Sequence, residues 1–227
     1  MKTLISAVTT LVASLTSLAV VAPAQAQAQQ ATPATPAAAT VAIAIAAPDV
    51  LVRQISNDVI DSVKSDKAIQ AGDVGKIIGL VDAKVMPSVN FEVVTRSAVG
   101  PKWREATPEQ RAKLQNEFKT LLVRVYAGAL TQIRDQTVEV TKTLPVPGGT
   151  QVVVQSEVRG KGEPIKLDYR LDKFSDVWKI IDVNVGGIWL VQSYRSQFAQ
   201  VLGGTGGIDA LITRLVDQNK SAAAAKS

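Results

Sequence analysis

Apolar residues recur at three- and four-residue spacing through Val52, Ile55, Val59 and Val63, which predicts an amphipathic helix with one stripe against a core and Asp49 as its cap. A second stripe, Val74, Ile77, Ile78, Val81 and Val85, predicts a helix that starts near Asp73 and stops at Pro87. The clearest helix start is Thr107-Pro108-Glu109-Gln110, where a Thr N-cap, a Pro at the first position and a Gln at the third form a capping box. The helix it opens should run from Pro108 to about Arg134, roughly 40 Å, with Leu114, Phe118, Leu121, Leu122, Val125, Ala129 and Ile133 on its apolar face.

After that helix the apolar period changes from helical to two, the period of a strand. Val138 and Val140 alternate with polar neighbours, as do Val152, Val154, Ser156 and Val158, and then Ile165, Leu167, Tyr169 and Leu171. Val177 to Val185 is apolar on both faces apart from Lys179, Asp182 and Asn184. Short links at Pro145 to Gly149, Gly160 to Gly162 and Lys173 to Asp176 suit hairpins, so the expected sheet is a twisted four-stranded antiparallel meander with one apolar face. Two helices follow, Ile188 to Leu202 and Ile208 to about Gln218, separated by Gly203-Gly204. The fold class is α+β: a sheet wrapped by amphipathic helices.

Charge divides the chain more sharply than hydropathy does. Lys and Arg total 25 and Asp and Glu 20 over 227 residues, yet residues 1–48 hold a single charge, Lys2. Lys2, the apolar run Leu4 to Val21, and the small-residue sites Ala22-Pro23-Ala24 and Ala24-Gln25-Ala26 read as a cleavable signal peptide over 1–26 that directs export. An uncleaved membrane anchor is the competing reading, which Ser6, Thr9, Thr10, Ser14, Thr16 and Ser17 weaken by diluting the run. Residues 27–48, rich in Ala, Pro, Gln and Thr, read as a flexible neck, 49–219 as the folded domain, and 220–227 as a loose tail. Removing Lys2 with the leader lowers the net charge from +5 to +4. That balance suits an anionic membrane surface or an acidic protein partner as well as it suits simple solubility, and it does not point to nucleic acid.

The chain has no His and no Cys, which excludes imidazole relays, thiol nucleophiles, disulfides and thiolate metal sites. The glycines at 203, 204, 206 and 207 follow a helix rather than a strand and lack a Gly-Lys-Ser/Thr ending, so they read as a helix break. By alternation Asp182 shares a face with Trp178 and Ile180 and needs a partner, for which Arg195 or a backbone amide is a candidate. A structural ion pair accounts for it better than general-base catalysis. The pairs Tyr194-Arg195 and Trp103-Arg104 suit helix packing more than the clamping of an anionic headgroup. The apolar sheet face is either filled by the protein's own side chains or left partly open toward the long helix.

Several segments together resemble the MlaC family of periplasmic phospholipid-binding proteins, also called the toluene-tolerance family. They are Trp103-Arg104 before Ala106-Thr107-Pro108-Glu109-Gln110; Phe118, Leu121-Leu122 and Tyr126; Trp178-Lys179-Ile180-Ile181-Asp182-Val183; Gly187-Ile188; Tyr194-Arg195-Ser196-Gln197-Phe198; and Gly207 with Leu211-Ile212 and Leu215. The resemblance spans about residues 50–217. It implies helices wrapped around a twisted sheet, as in nuclear-transport-factor-like folds, with a cavity that takes acyl tails. It implies phospholipid as cargo, no cofactor, no metal and no enzymatic activity. It also implies two docking partners: an inner-membrane ABC transporter complex with its membrane-anchored substrate-binding ring, and an outer-membrane lipoprotein-porin complex. A monomer is the simplest state for such a shuttle.

Two features depart from the family pattern. Trp189 stands where a small polar residue is expected, and an indole there would narrow or reshape the pocket mouth; the neck is also longer than the family needs. Combining the resemblance with strand alternation, the expected lipid-binding residues are Leu122, Val125 and Tyr126 on the long helix and Val138, Val140, Val152, Val154, Leu167, Tyr169 and Leu171 on the sheet. The alternatives are a small exported enzyme with Asp182 as a base, and a non-catalytic assembly module whose core is solid.

Overall fold

The computed structural model of the chain describes residues 46–224. The leader, the neck up to residue 45 and the last three residues of the tail lie outside the described residues. Helix α1, Pro48–Ser65, begins with Pro48 in its first turn and an N-cap, Ala47, whose methyl can make no capping hydrogen bond. Asp49 is therefore not the cap. It sits inside the first turn, where a negative charge complements the helix dipole, and lies 3.8 Å from Arg53. A short helix α2, Lys67–Gln70, is capped by Asp66, and α3, Val74–Leu80, is capped by Asp73 as its position suggests.

The run from Val74 to Val85 is not one regular helix. Val81–Val85 is a π-turn and Met86–Ser88 a 3-10 turn. Pro87 accounts for this, because it has no N–H to donate backward and its ring crowds the carbonyl of Ala83. A helix absent from the sequence reading follows: α4, Phe91–Val99, opened by the Asn90 side chain accepting from the Val93 amide at 3.2 Å and closed by Gly100 at φ 73°. The segment Gly100–Glu105 is 3-10 and buries Trp103. The long helix α5, Pro108–Leu130, carries the expected capping box, with Gln110 N–H donating to Thr107 Oγ1 and Thr107 N–H to Gln110 Oε1. It stops four residues earlier than the pattern predicts.

The sheet is an antiparallel meander of five strands rather than four, in the order β1 (Thr137–Pro145), β2 (Val152–Arg159), β3 (Ile165–Phe174), β4 (Val177–Val185) and β5 (Ile188–Trp189). The extra strand comes from Gly186 and Gly187, at φ 58° and 94°, which turn the chain back on β4. Ile188 and Trp189 thus pair with β4 instead of starting the next helix. Helix α6 is Leu190–Leu202, and α7, Gly207–Ala224, runs past Gln218 into the segment expected to be loose.

Three apolar clusters hold these elements together. Leu51, Val52 and Ile55 of α1 pack on Val154, Leu171 and Ile180, so α1 covers much of the sheet's apolar face. Phe118, Leu114 and Leu121 of α5 pack with Tyr194, Phe198 and Leu211 from α6 and α7. Val123 and Ala127 pack with Val63, Ile69, Ile77 and Leu80. Helix α5 thus serves two cores with two faces, and its buried stripe moves around the helix between Leu121 and Val123. The simple 3.6-residue extrapolation fails there: Val125 is 55% exposed.

Candidate functional site

The irregular segment 81–89, α4, α5, β4 and the first turn of α6 meet around an apolar cavity of about 150 Å³. Val81, Val85, Met86 and Val89 form one wall. Phe91 and Val94 come from α4, Phe118, Lys119, Leu122 and Val123 from α5, Ile180, Asp182 and Val183 from β4, and Leu190 and Val191 from α6. Each element presents aliphatic or aromatic carbon to the space, and the charged lining residues are Lys119 and Asp182. The volume is about half the low end for small-molecule pockets, roughly 300 Å³. As it stands, the space cannot hold a diacyl lipid.

Of the ten residues expected to contact lipid, Leu122 lines this cavity. Val154 and Leu171 have no exposed surface and are packed beneath α1, with Val140, Val152 and Tyr169 partly buried around the same cluster. The Tyr169 hydroxyl lies near Ser56 of α1, and burial pushes its pKa up. Val138 and Leu167 lie farther along the sheet in rows that pair with Val158 and with Ser156. Tyr126 is partly buried, with its hydroxyl pKa also raised by burial, and Val125 faces solvent. Alternation identified the apolar side of the sheet; it did not show that α1 fills it. The sequence reading missed every other lining residue: six in 81–94, where the Pro87 interruption and the Asn90 cap were the available signals, and Phe118, Lys119, Val123, Ile180, Asp182, Val183, Leu190 and Val191 on α5, β4 and α6.

A β-bulge decides where Asp182 points. The register shifts by one between the pairs Arg170↔Asp182 and Leu171↔Ile180, leaving Ile181 as the extra residue. Asp182 is therefore on the face of Arg170, opposite Ile180, and the expected shared face does not hold. Its Oδ1 accepts the Val183 amide at 2.9 Å and the Val191 amide at 3.0 Å, and its Oδ2 lies 4.0 Å from Arg170. Val191 is in the first turn of α6, so a strand carboxylate supplies the cap that Trp189 does not. Arg195 takes no part; its guanidinium lies beside Gly100.

Trp189 is not in the cavity wall. Its ring lies under the Arg170 guanidinium at 4.4 Å, so it holds the charge that faces Asp182 rather than narrowing a mouth. Trp103 is covered by Arg111, at 5.3 Å, and Tyr194 packs edge-on to Phe118 at 4.9 Å. Both aromatic-Arg pairs singled out in the sequence thus contribute an aromatic to packing.

Burial pushes the Asp182 carboxyl above its ordinary range, against the pull of the two amides and Arg170. A raised pKa means the folded chain holds a proton that the unfolded chain has released. Stability from this group is complete below the unfolded value of 3.8 and is lost as pH rises through the folded value. Asp182→Asn keeps an oxygen for the amides and cannot titrate. Urea melts of the two proteins should therefore converge or cross in favour of the variant as pH is raised from about 4 to 7. Asp182→Ala strands both amides and should cost about 1–3 kcal/mol at either pH.

Among the described residues no group of three or more Asp, Glu, His or Cys side chains is placed to hold a metal ion, and no helix is long and apolar enough to cross a membrane. A search of solved structures finds the fold in a phospholipid-binding protein from Ralstonia solanacearum, in complex with a phospholipid. It is 39% identical, with a TM-score of 0.75, covering 78% of this chain and 99% of that one. Toluene tolerance protein ttg2D of Pseudomonas putida is 24% identical over 161 residues, 70% of this chain and 75% of its own length. The intermembrane phospholipid transport system binding protein MlaC of Haemophilus influenzae is 24% identical over 178 residues, 77% of this chain and 83% of its own. The MlaC protein family model matches residues 53–217, from the first turns of α1 to within α7, and so takes in every element around the cavity: the chain belongs to the MlaC family.

Proposed function

We propose that the protein is a periplasmic phospholipid carrier of the Mla lipid-transport system, holding acyl tails in the space between β4, α4, α5 and the 81–89 segment, and that it is not an enzyme. The observation that carries this reading is the phospholipid held by the Ralstonia protein, of the same fold and 39% identical to this chain. The cavity's chemistry agrees. Each methylene exposed to water costs about 0.8 kcal/mol, so a carrier must offer an apolar wall and little else.

The cavity of about 150 Å³ is then the closed form of a larger site. The wall that yields is 81–89, because π- and 3-10 turns are less regular than the helices and strands opposite. Tails enter beside Leu122 and Val183 and extend along the sheet toward Tyr169, Val140, Leu167 and Val138. They reach Val152, Val154 and Leu171 only where α1 gives way. We further propose the nuclear-transport-factor-like arrangement for the fold, and the inner-membrane ABC transporter complex with its substrate-binding ring and the outer-membrane lipoprotein-porin complex as the two docking partners.

The two alternatives fare unequally. An enzyme reading requires Asp182 to be a free base, and its Oδ1 is engaged by two amides. A solid assembly module would suit the small volume but would leave the phospholipid bound by the Ralstonia relative unexplained. Native mass spectrometry on protein purified from the cell, followed by lipid extraction, should find phospholipid at close to one mole or more per mole of protein. Protein that comes out with no phospholipid, and takes up none from vesicles, would overturn the carrier reading.

A further inference from the structure

Lys119 is the one cation in the cavity wall, and its surroundings match an amphiphile. It sits on α5 one turn from Leu122 and Val123, so its methylene stem forms apolar wall while the ammonium reaches the rim. Its side chain is 22% exposed and donates to Asp82 Oδ1 at 2.8 Å; Asp82, on the π-turn, is 46% exposed. An ammonium has three donors, and this contact uses one. The other charged lining residue, Asp182, lies on the opposite wall with its Oδ1 occupied by backbone amides. Apolar surface below and a half-shielded cation at the edge is the arrangement that acyl tails joined to a phosphate would meet.

We infer that Lys119 is the phosphate-binding group of the site, and that a lipid phosphodiester takes the place of the Asp82 carboxylate on its ammonium. This rests on the carrier reading and adds to it a criterion for cargo: diacyl lipids with a phosphate are held in preference to those without. Because every phospholipid has that phosphate, the contact sorts phospholipid from neutral lipid without choosing among headgroups. It also ties loading to opening. Asp82 belongs to the wall that must move, so a phosphate that claims Lys119 releases the ion pair joining that wall to α5.

The test offers the full-length mature protein vesicles with equal amounts of dioleoylphosphatidylglycerol and dioleoylglycerol, re-isolates the protein, and measures the ratio of the two lipids in its extract. A ratio is insensitive to the fraction of protein that is folded. The unmodified protein should favour the phospholipid, Lys119→Met should lower the ratio about tenfold, the worth of one charge-assisted hydrogen bond, and Lys119→Arg should largely retain it. Asp82→Asn, which removes the competing carboxylate, should raise the ratio when Lys119 is present and leave it unchanged in the Lys119→Met background. Excess inorganic phosphate should not alter the ratio, since it brings no tails; a fall to the Lys119→Met level would mean that the site takes free phosphate instead. A ratio equal in Lys119→Met and unmodified protein overturns the assignment of Lys119 while the carrier reading stands. Uptake of neither lipid by the unmodified protein overturns both.

Discussion

Leu122→Trp should lower phospholipid uptake more than tenfold while leaving the protein folded. Leu122 is partly buried and lines the cavity from α5, so an indole in its place occupies the space from which tails enter. Displacing only two methylenes of acyl chain removes about 1.6 kcal/mol of transfer free energy, already more than a factor of ten in affinity. The cost to the fold is that of overpacking, about 1–3 kcal/mol, and the existing void absorbs part of it. Lipid transfer from labelled vesicles measures the first effect and a urea melt the second. Uptake at the level of the unmodified protein would mean that the tails lie elsewhere, and the sheet rows of Val138 and Leu167 would then be the next surface to block.

The largest effect on stability should come from Phe118→Ala. Phe118 has no exposed surface and stands where three helices meet: its ring centroid is 5.8 Å from that of Phe91, 4.9 Å from Tyr194 and 5.2 Å from Phe198. Truncating a buried phenylalanine costs about 3–5 kcal/mol, from lost transfer free energy and the hole left behind. Here the hole opens into the existing cavity, because Phe118 is also one of its walls. The urea midpoint should fall steeply at constant slope, and added phospholipid should restore more stability to this variant than to the unmodified protein, since the ligand fills the enlarged space. An equal shift in both proteins would separate the aromatic cluster from the binding site.

The sequence disclosed the parts whose signals are local. Thr107 and Gln110 announced α5, Asp73 announced α3, and period-two runs placed four strands with their apolar side. It hid whatever depends on register or on distant covering. One bulge residue, Ile181, moves Asp182 to the other face, and nothing in the alternation of β4 marks where that extra residue falls. Val125 continues the periodic stripe of α5 yet is exposed, because the helix changes the core it serves part-way along. The fate of Val154 and Leu171 was decided about a hundred residues upstream, by Leu51, Val52 and Ile55 of α1. The family resemblance conveyed the class of cargo; it could not say how much of the binding space is shut when the chain stands alone.

The bond from Asp182 to Val191 makes the two sides of the cavity mechanically unlike. It couples β4 to α6 through a contact shielded from water, so strand and helix travel as one stiff plate. The facing side is bridged to β4 at Val89 and Ile180, and its tie to α5 is a carboxylate and an ammonium that solvent reaches, a link that dissolved ions weaken over distances of about 8–10 Å. Ionic strength therefore acts on the tie to α5: brine loosens that hinge of the door and leaves the frame rigid.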